Sequence, residues 1–221
     1  MHYALDLYAL DLWFEKAVKP RLNGEAYLVR YIDDFIVCFQ YHSDAEHFFG
    51  ALEKRLKKFS LQLEPNKTRL VEFSRFADRN AKERNKKLKT IYFLGFTHFC
   101  TRNRKGNFMV GRKTEKARLK RSIAKLQEEM RRIRHKPMKD QAEKISQILR
   151  GHYNYYGLAG NIKSLYKVYE KANVYWRRML SSRSSKSYIN WDRFHEIILL
   201  FPLLRPKLSI PYERLKLYAM L

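Results

Sequence analysis

Tyr27-Leu28-Val29-Arg30-Tyr31-Ile32-Asp33-Asp34-Phe35-Ile36-Val37-Cys38-Phe39 is the stretch that decides the fold. Residues 27–30 and 35–39 are apolar runs rich in β-branched and aromatic side chains, the composition of strands. Tyr31-Ile32-Asp33-Asp34 lies between them, where a tight turn should fall. The sequence therefore predicts a β-hairpin with two carboxylates at its tip. Aspartate is an ordinary turn residue because its side chain bonds nearby backbone amides, so the pair alone has a structural explanation. Crowded carboxylates also repel, and a divalent cation that prefers oxygen ligands relieves the repulsion. Mg²⁺ held this way on a strongly basic protein points to chemistry on phosphates.

The charge of the chain supports that direction. Its 221 residues carry 46 Lys and Arg against 22 Asp and Glu, a formal net charge of +24. Such an excess is self-repelling unless a polyanion compensates it, and nucleic acid is the usual compensator. Hydrophobic residues at 45% and aromatics at 14% argue for a folded protein rather than a basic disordered tail. No apolar stretch approaches the roughly 20 residues that span a bilayer. The longest, Ile197 to Leu204, is interrupted by Pro202. No signal-peptide pattern opens the chain, since Asp6, Asp11 and Glu15 punctuate its apolar residues, so the expected location is cytoplasmic. Cys38 and Cys100 have no CxxC partner and read as reduced core thiols.

Outward from the hairpin, Ala4, Leu5, Tyr8, Ala9, Leu12 and Phe14 predict a helix over 2–17, ended by Pro20 and Gly24. Ser43 and Glu46 read as a capping box for a helix over 44–59. Pro65-Asn66 makes a turn, Lys67 to Phe73 a strand, and 74–90 an exposed basic loop. Residues 91–97 return to strand composition, and a second hairpin turns at Arg104-Lys105-Gly106 before Phe108-Met109-Val110. Hairpin, helix and strand in this order suggest part of a split βαβ layout, with helices on one face of an antiparallel sheet.

The character changes at about residue 111. Leu119, Ile123, Leu126, Met130 and Ile133 form a helical stripe of packing width. Residues 112–136 carry 11 Lys or Arg against 3 Glu, whereas a solvated helix face usually mixes signs. A second helix carries Ala142, Ile145, Ile148 and Leu149 and ends at Gly151. A third runs from Ile162 to Met179, so the three form a small bundle. Ser181 to Ser187 reads as a flexible linker, followed by an irregular tail with one helix. The fold class is α+β.

With this order of elements the resemblance becomes specific. Tyr31-Ile32-Asp33-Asp34 resembles the YxDD motif of reverse transcriptases, and Leu63-Glu64-Pro65-Asn66-Lys67-Thr68 the lysine-bearing motif that follows it. Phe93-Leu94-Gly95-Phe96 resembles the primer grip. The basic helices ending in Gly151-His152-Tyr153-Asn154-Tyr155-Tyr156-Gly157 resemble the thumb, or maturase X domain. Together these motifs are similar to the C-terminal half of group II intron-encoded reverse transcriptase/maturases. The resemblance implies a partial reverse-transcriptase palm over 1–110, a helical thumb over 111–180, and a linker with a short basic tail over 181–221. It implies Mg²⁺-dependent RNA-templated DNA synthesis from dNTPs, and binding of intron RNA and of a template/primer duplex.

The resemblance also assigns roles. Asp33 and Asp34 would be catalytic and metal-binding, with Lys67 steadying the departing pyrophosphate. Tyr31, Phe93, Leu94, Gly95 and Phe96 would meet primer and template. A glycine between large residues lets another backbone approach closely. Arg112, Lys113, Lys116, Arg118, Lys120 and Arg121 suit a duplex backbone. His152, Tyr153, Tyr155 and Tyr156 would either stack on unpaired bases or pack the bundle. The family's further catalytic aspartate stands on an earlier strand, and no candidate strand precedes residue 27. The expectation is therefore an incomplete two-metal site in a truncated chain, inactive alone or completed by a separate chain that supplies the fingers and front palm. The competing expectation is a non-catalytic RNA-binding module for splicing. Ile32 stands where group II enzymes usually carry alanine.

Overall fold

In the computed structural model residues 10–184 and 188–220 are described. They fall into two compact units, one up to Leu94 and one from Gly95. The architecture is α+β, with small antiparallel sheets and flanking helices.

In the first unit, β1 (Ala26–Tyr31) pairs antiparallel with β2 (Asp34–Phe39) from Ala26↔Phe39 to Tyr31↔Asp34. Alternation sends Ala26, Leu28 and Arg30 to one face and Tyr27, Val29 and Tyr31 to the other. The inner face, completed by Phe35, Val37 and Phe39, packs on α1 (His42–Lys57) through Phe48 and Leu52. Leu10 and Phe14 of the N-terminal helical segment close the same core. Phe48 is its centre, with ring centroids of Phe39, Phe14 and Trp13 at 5.2, 5.7 and 5.9 Å. The part of the expected N-terminal helix that carries Ala4, Leu5, Tyr8 and Ala9 lies outside the described residues. From residue 10 the chain is helical, widens into a π turn at Phe14–Val18 and tightens into a 3₁₀ turn at Lys19–Arg21. Pro20, without an amide proton, stands inside that last turn, and Leu22 leaves it in an extended conformation.

Three local expectations are corrected. Ser43 is not the N-cap of α1: the cap is Tyr41, without a side-chain bond. Asp44 has turned inward instead. Its buried carboxylate accepts from the Asn23 and Gly24 backbone amides, both at 3.0 Å, and from Asn23 Nδ2 at 2.9 Å. Lys67 to Phe73 forms no strand: Lys67 lies in the turn 65–67, and residues 68–73 have no regular structure and no ladder partner among the described strands. The expected loop over 74–90 contains a short helix, α2 (Ala77–Glu83). It buries Ala77 and carries the i,i+4 pairs Asp78–Lys82 and Arg79–Glu83. The cysteines are also corrected: Cys38 lies exposed on the outer face of the hairpin and Cys100 is half-buried.

A two-residue turn at Leu94-Gly95, both at positive φ, separates β3 (Ile91–Phe93) from β4 (Phe96–Arg102). In the second unit β4 pairs antiparallel with β5 (Phe108–Thr114), from Phe96↔Thr114 to Arg102↔Phe108. Asn103 closes the turn, its side chain accepting from the Lys105 and Asn107 amides. Three long helices follow: α3 (Lys116–Arg132), α4 (Met138–Tyr156) and α5 (Ile162–Ser181). Leu126, Met130, Ile145, Leu149, Leu165 and Trp176 are the heart of their core. Gly151 does not end α4, which runs through it to Tyr156. The aromatic face beyond Gly151 packs, and packing outweighs the cost of roughly 1 kcal/mol for a glycine within a helix.

The tail is more ordered than its sequence suggests. Ser181 belongs to α5, and its hydroxyl accepts from the Ile189 amide at 3.0 Å. Arg183 donates to the carbonyls of Arg134 and Lys136, each at 2.9 Å. Only the linker residues 185–187 lie outside the described chain. Two helices follow, α6 (Trp191–Leu200) and α7 (Tyr212–Met220). Phe194, Ile197 and Leu203 enter the bundle core, so the core is more than three helices. Trp176 meets Phe194 edge-on, and its indole N–H donates to the buried Gln141 Oε1 at 2.9 Å. At the end of α4, Gly157 permits close approach: a Cβ there would lie 2.2 Å from the Tyr153 carbonyl and 2.8 Å from the Ser209 amide nitrogen.

Removing the Asp44 carboxylate strands two backbone donors in a partly buried loop. Asp44→Ala should destabilise the protein by about 2–4 kcal/mol, from the loss of charge-assisted hydrogen bonds. The measurement is the urea midpoint followed through fluorescence of the tryptophans.

Candidate functional site

The acidic turn is a two-residue loop, Ile32-Asp33, closed by the Tyr31↔Asp34 pair. Asp33 is therefore at the apex and Asp34 opens β2, both exposed. Ile32 has φ of 54°, a left-handed backbone that is strained for a β-branched residue. Such a conformation persists only where its surroundings over-determine it. Arg30 supplies that support. Its guanidinium donates to the Ile32 carbonyl at 3.1 Å and grips both oxygens of Asp11, the Nε contacts being 2.8 and 3.1 Å. This two-pronged pair raises the Arg30 pKa, chiefly through the hydrogen bonds it donates to Asp11. Sequence reading assigned no role to either residue. The available signal was an arginine in register with the core-facing Ala26 and Leu28, a position that requires a partner.

Around the tip, Tyr31 is 58% exposed, and Tyr27 and Val29 share its outward face. Lys67 is exposed within the turn 65–67 rather than on a strand, its amide donating to the Glu64 carbonyl at 3.0 Å. Among the described residues no hydrogen bond or ion pair joins Lys67 to Asp33 or Asp34. No group of three or more His, Cys, Asp or Glu side chains that could hold a metal occurs among them either. Two carboxylates have the oxygen chemistry that Mg²⁺ takes, but they fall short of its ligand set by themselves.

Phe93 and Leu94 precede the turn, both half-buried. At Gly95 (φ +76°) a Cβ would meet the Tyr156 hydroxyl at 3.3 Å, so the close neighbour here is an aromatic side chain. Phe96 is buried, its ring centroid 5.4 Å from that of Tyr156 and 6.4 Å from that of Tyr155. The four candidate RNA-binding residues at the end of α4 separate by burial. Tyr153 is in the core, its hydroxyl donating to the Leu204 carbonyl, so packing claims it. Burial raises its pKa. His152 and Tyr156 are half-buried with centroids 4.8 Å apart, while Tyr155 is 58% exposed.

The basic candidates do form a surface. Lys116, Arg118, Lys120 and Arg121 are all exposed on α3, outside the core stripe of Leu126 and Met130. Arg118 pairs with Glu115 at 3.8 Å, and Glu128 and Glu129 both engage Arg132. Lys116, Lys120 and Arg121 have no acidic partner among the described residues. On β5, Lys113 is exposed over the Phe99 ring, and Arg112 is half-buried opposite His98. Burial, then the Arg112 charge, lowers the His98 pKa.

Against known proteins, residues 7–98 match the family model for reverse transcriptase (RNA-dependent DNA polymerase). That segment includes the whole acidic hairpin, the Lys67 turn and the Leu94-Gly95 turn. No curated protein matches the chain.

Two measurements check this geometry. A double-mutant cycle of Asp11→Ala and Arg30→Ala should give a coupling of about 1–2 kcal/mol in urea unfolding, as expected for a half-exposed charge-assisted pair. The second concerns His152, whose burial lowers its pKa from 6.5 to about 4. The unfolded chain then binds the proton more tightly than the folded one. Stability from this group is full above pH 6.5 and is lost as pH falls toward 4. His152→Gln should flatten that acid loss by about 2–3 kcal/mol.

Proposed function

We propose that the chain carries the catalytic hairpin and the nucleic-acid-binding thumb of an RNA-directed DNA polymerase of the group II intron reverse transcriptase/maturase type. The carrying observation is the Tyr31-to-Asp34 turn, two carboxylates presented on a braced hairpin within the segment that matches the reverse transcriptase family. In this reading the palm portion extends to residue 110, within the second hairpin, the thumb spans 111–180, and the remainder is a basic tail.

Asp33 and Asp34 would contribute oxygen ligands to Mg²⁺, which when bound activates a primer 3′-hydroxyl and neutralises the leaving pyrophosphate. Tyr31, on the outward face beside them, is placed to lie against a primer end. Gly95 and Phe96 form the grip with Tyr156 behind them. Lys113, Lys116, Lys120 and Arg121 hold the phosphates of a template/primer duplex or of intron RNA, and each neutralised phosphate releases counterions. Tyr155 is the ring of the 152–156 group best placed to stack on a base.

A second reading, binding of intron RNA for splicing without polymerisation, is favoured by the absence of a third metal-ligating side chain among the described residues. Lysine-to-alanine changes at Lys120 and Lys116 should each lower the slope of log affinity against log salt by about 0.7–0.9 on an RNA/DNA duplex. Mg²⁺-dependent primer extension that disappears in Asp33→Ala supports the polymerase. Salt-dependent binding without extension supports the second reading, and duplex binding indifferent to salt and to Lys116 and Lys120 overturns both.

A further inference from the structure

The first unit carries a cationic surface that neither the acidic turn nor α3 uses. It is built from the irregular segment after Lys67, from α2 and from the approach to β3. Phe76, 45% exposed, has the guanidinium carbons of Arg75 and Arg79 at 4.8 and 5.4 Å from its ring centroid. Tyr92, 55% exposed, has that of Arg69 at 5.3 Å.

The acidic residues of the stretch are all engaged. Glu72 meets Arg84 at 3.4 Å, Asp78 meets Lys82 at 2.9 Å and Glu83 meets Arg79 at 3.6 Å. Arg69, Arg75, Lys86, Lys87 and Lys89 are exposed and have no acidic partner among the described residues. A charged helix in water needs no explanation when its signs balance, as they do within α2. The flanks do not balance, and they hold the exposed rings.

A guanidinium resting on a ring has lost part of its rotamer freedom already, while its N–H edge remains open to phosphate oxygens. Ring faces and guanidinium planes are also what unpaired bases stack on. Single-stranded nucleic acid needs both features along one path, a cationic track and aromatic platforms. A duplex, with its bases already stacked, has no use for the rings.

We propose that this surface binds an unpaired nucleic-acid strand, with phosphates on Arg69, Arg75, Lys86, Lys87 and Lys89 and bases against Tyr92 and Phe76. The inference rests on the nucleic-acid reading above for the class of ligand, and not on the duplex contacts of α3. The strand comes from an RNA such as template or intron, or from displaced DNA; the chemistry is shared.

Fluorescence anisotropy of the full chain with unstructured RNA and DNA oligonucleotides, and separately with a blunt duplex, tests it. Phe76→Ala and Tyr92→Ala should each weaken oligonucleotide binding about fivefold or more and leave duplex binding unchanged. Tyr92→Phe should keep the affinity, which separates stacking from a folding defect. Lys86→Ala with Lys87→Ala should lower the salt slope by about 1.4 on the single strand. The arm bound more tightly, RNA or DNA, identifies the source. Unchanged oligonucleotide affinity in both ring variants overturns the proposal, as does loss of binding to anionic vesicles in place of oligonucleotides. Loss of duplex binding alone in α3 variants bears on the earlier reading and leaves this one standing.

Discussion

A two-stranded ribbon can bury only one of its faces, and that constraint shapes the first unit. A lone hairpin is marginal in water, so β1 and β2 exist because α1 and the N-terminal helical segment cover Ala26, Leu28, Phe35, Val37 and Phe39. The Asp44 carboxylate ties α1 to the loop that enters β1, and Asp11 reaches from the N-terminal segment to Arg30. Both ties are polar because they anchor backbone and charge at the margin of a small core. The opposite face keeps Tyr27, Val29 and Tyr31 in solvent. It leads directly to the carboxylates, so the geometry that leaves this ribbon half-covered also presents its tip.

The hairpin was legible from strand composition on both sides of the acidic turn, and the bundle from periodicity, the stripe from Leu119 to Ile133 marking the buried face of α3. The acidic turn lies within Tyr31 to Asp34 as expected, narrowed to two residues because Tyr31 and Asp34 pair. Local signals failed where longer-range partners won. Ser43 and Glu46 have the right spacing for a capping box, but helix α1 starts earlier and Asp44 takes over the backbone donors, those of a distant loop. Lys67 to Phe73 has strand composition without a strand beside it.

The tail shows the same limit from the other side. Residues 181–184 look like a linker by composition, yet Ser181 accepts from the Ile189 amide across the linker and Arg183 donates to the distant Arg134 carbonyl. The brace between Asp11 and Arg30 was hidden for a similar reason, since 19 residues separate the partners. What could be read was that an arginine facing a core must be paired. The aromatic cluster at the end of α4 was open between stacking and packing, and burial divides it residue by residue: Tyr153 inside, Tyr155 outside.

The return of the chain across its own bundle has a consequence for how the protein is made. Phe194 and Leu203 fill the core beside Trp176, and the Ala159 amide donates to the Ile210 carbonyl while the Ile210 amide donates to Gly157. A chain made N-terminus first therefore gains the residues that seal α3, α4 and α5 last. Until Phe194 docks, the indole face of Trp176 lacks its cover, and apolar surface exposed in this way is prone to aggregation.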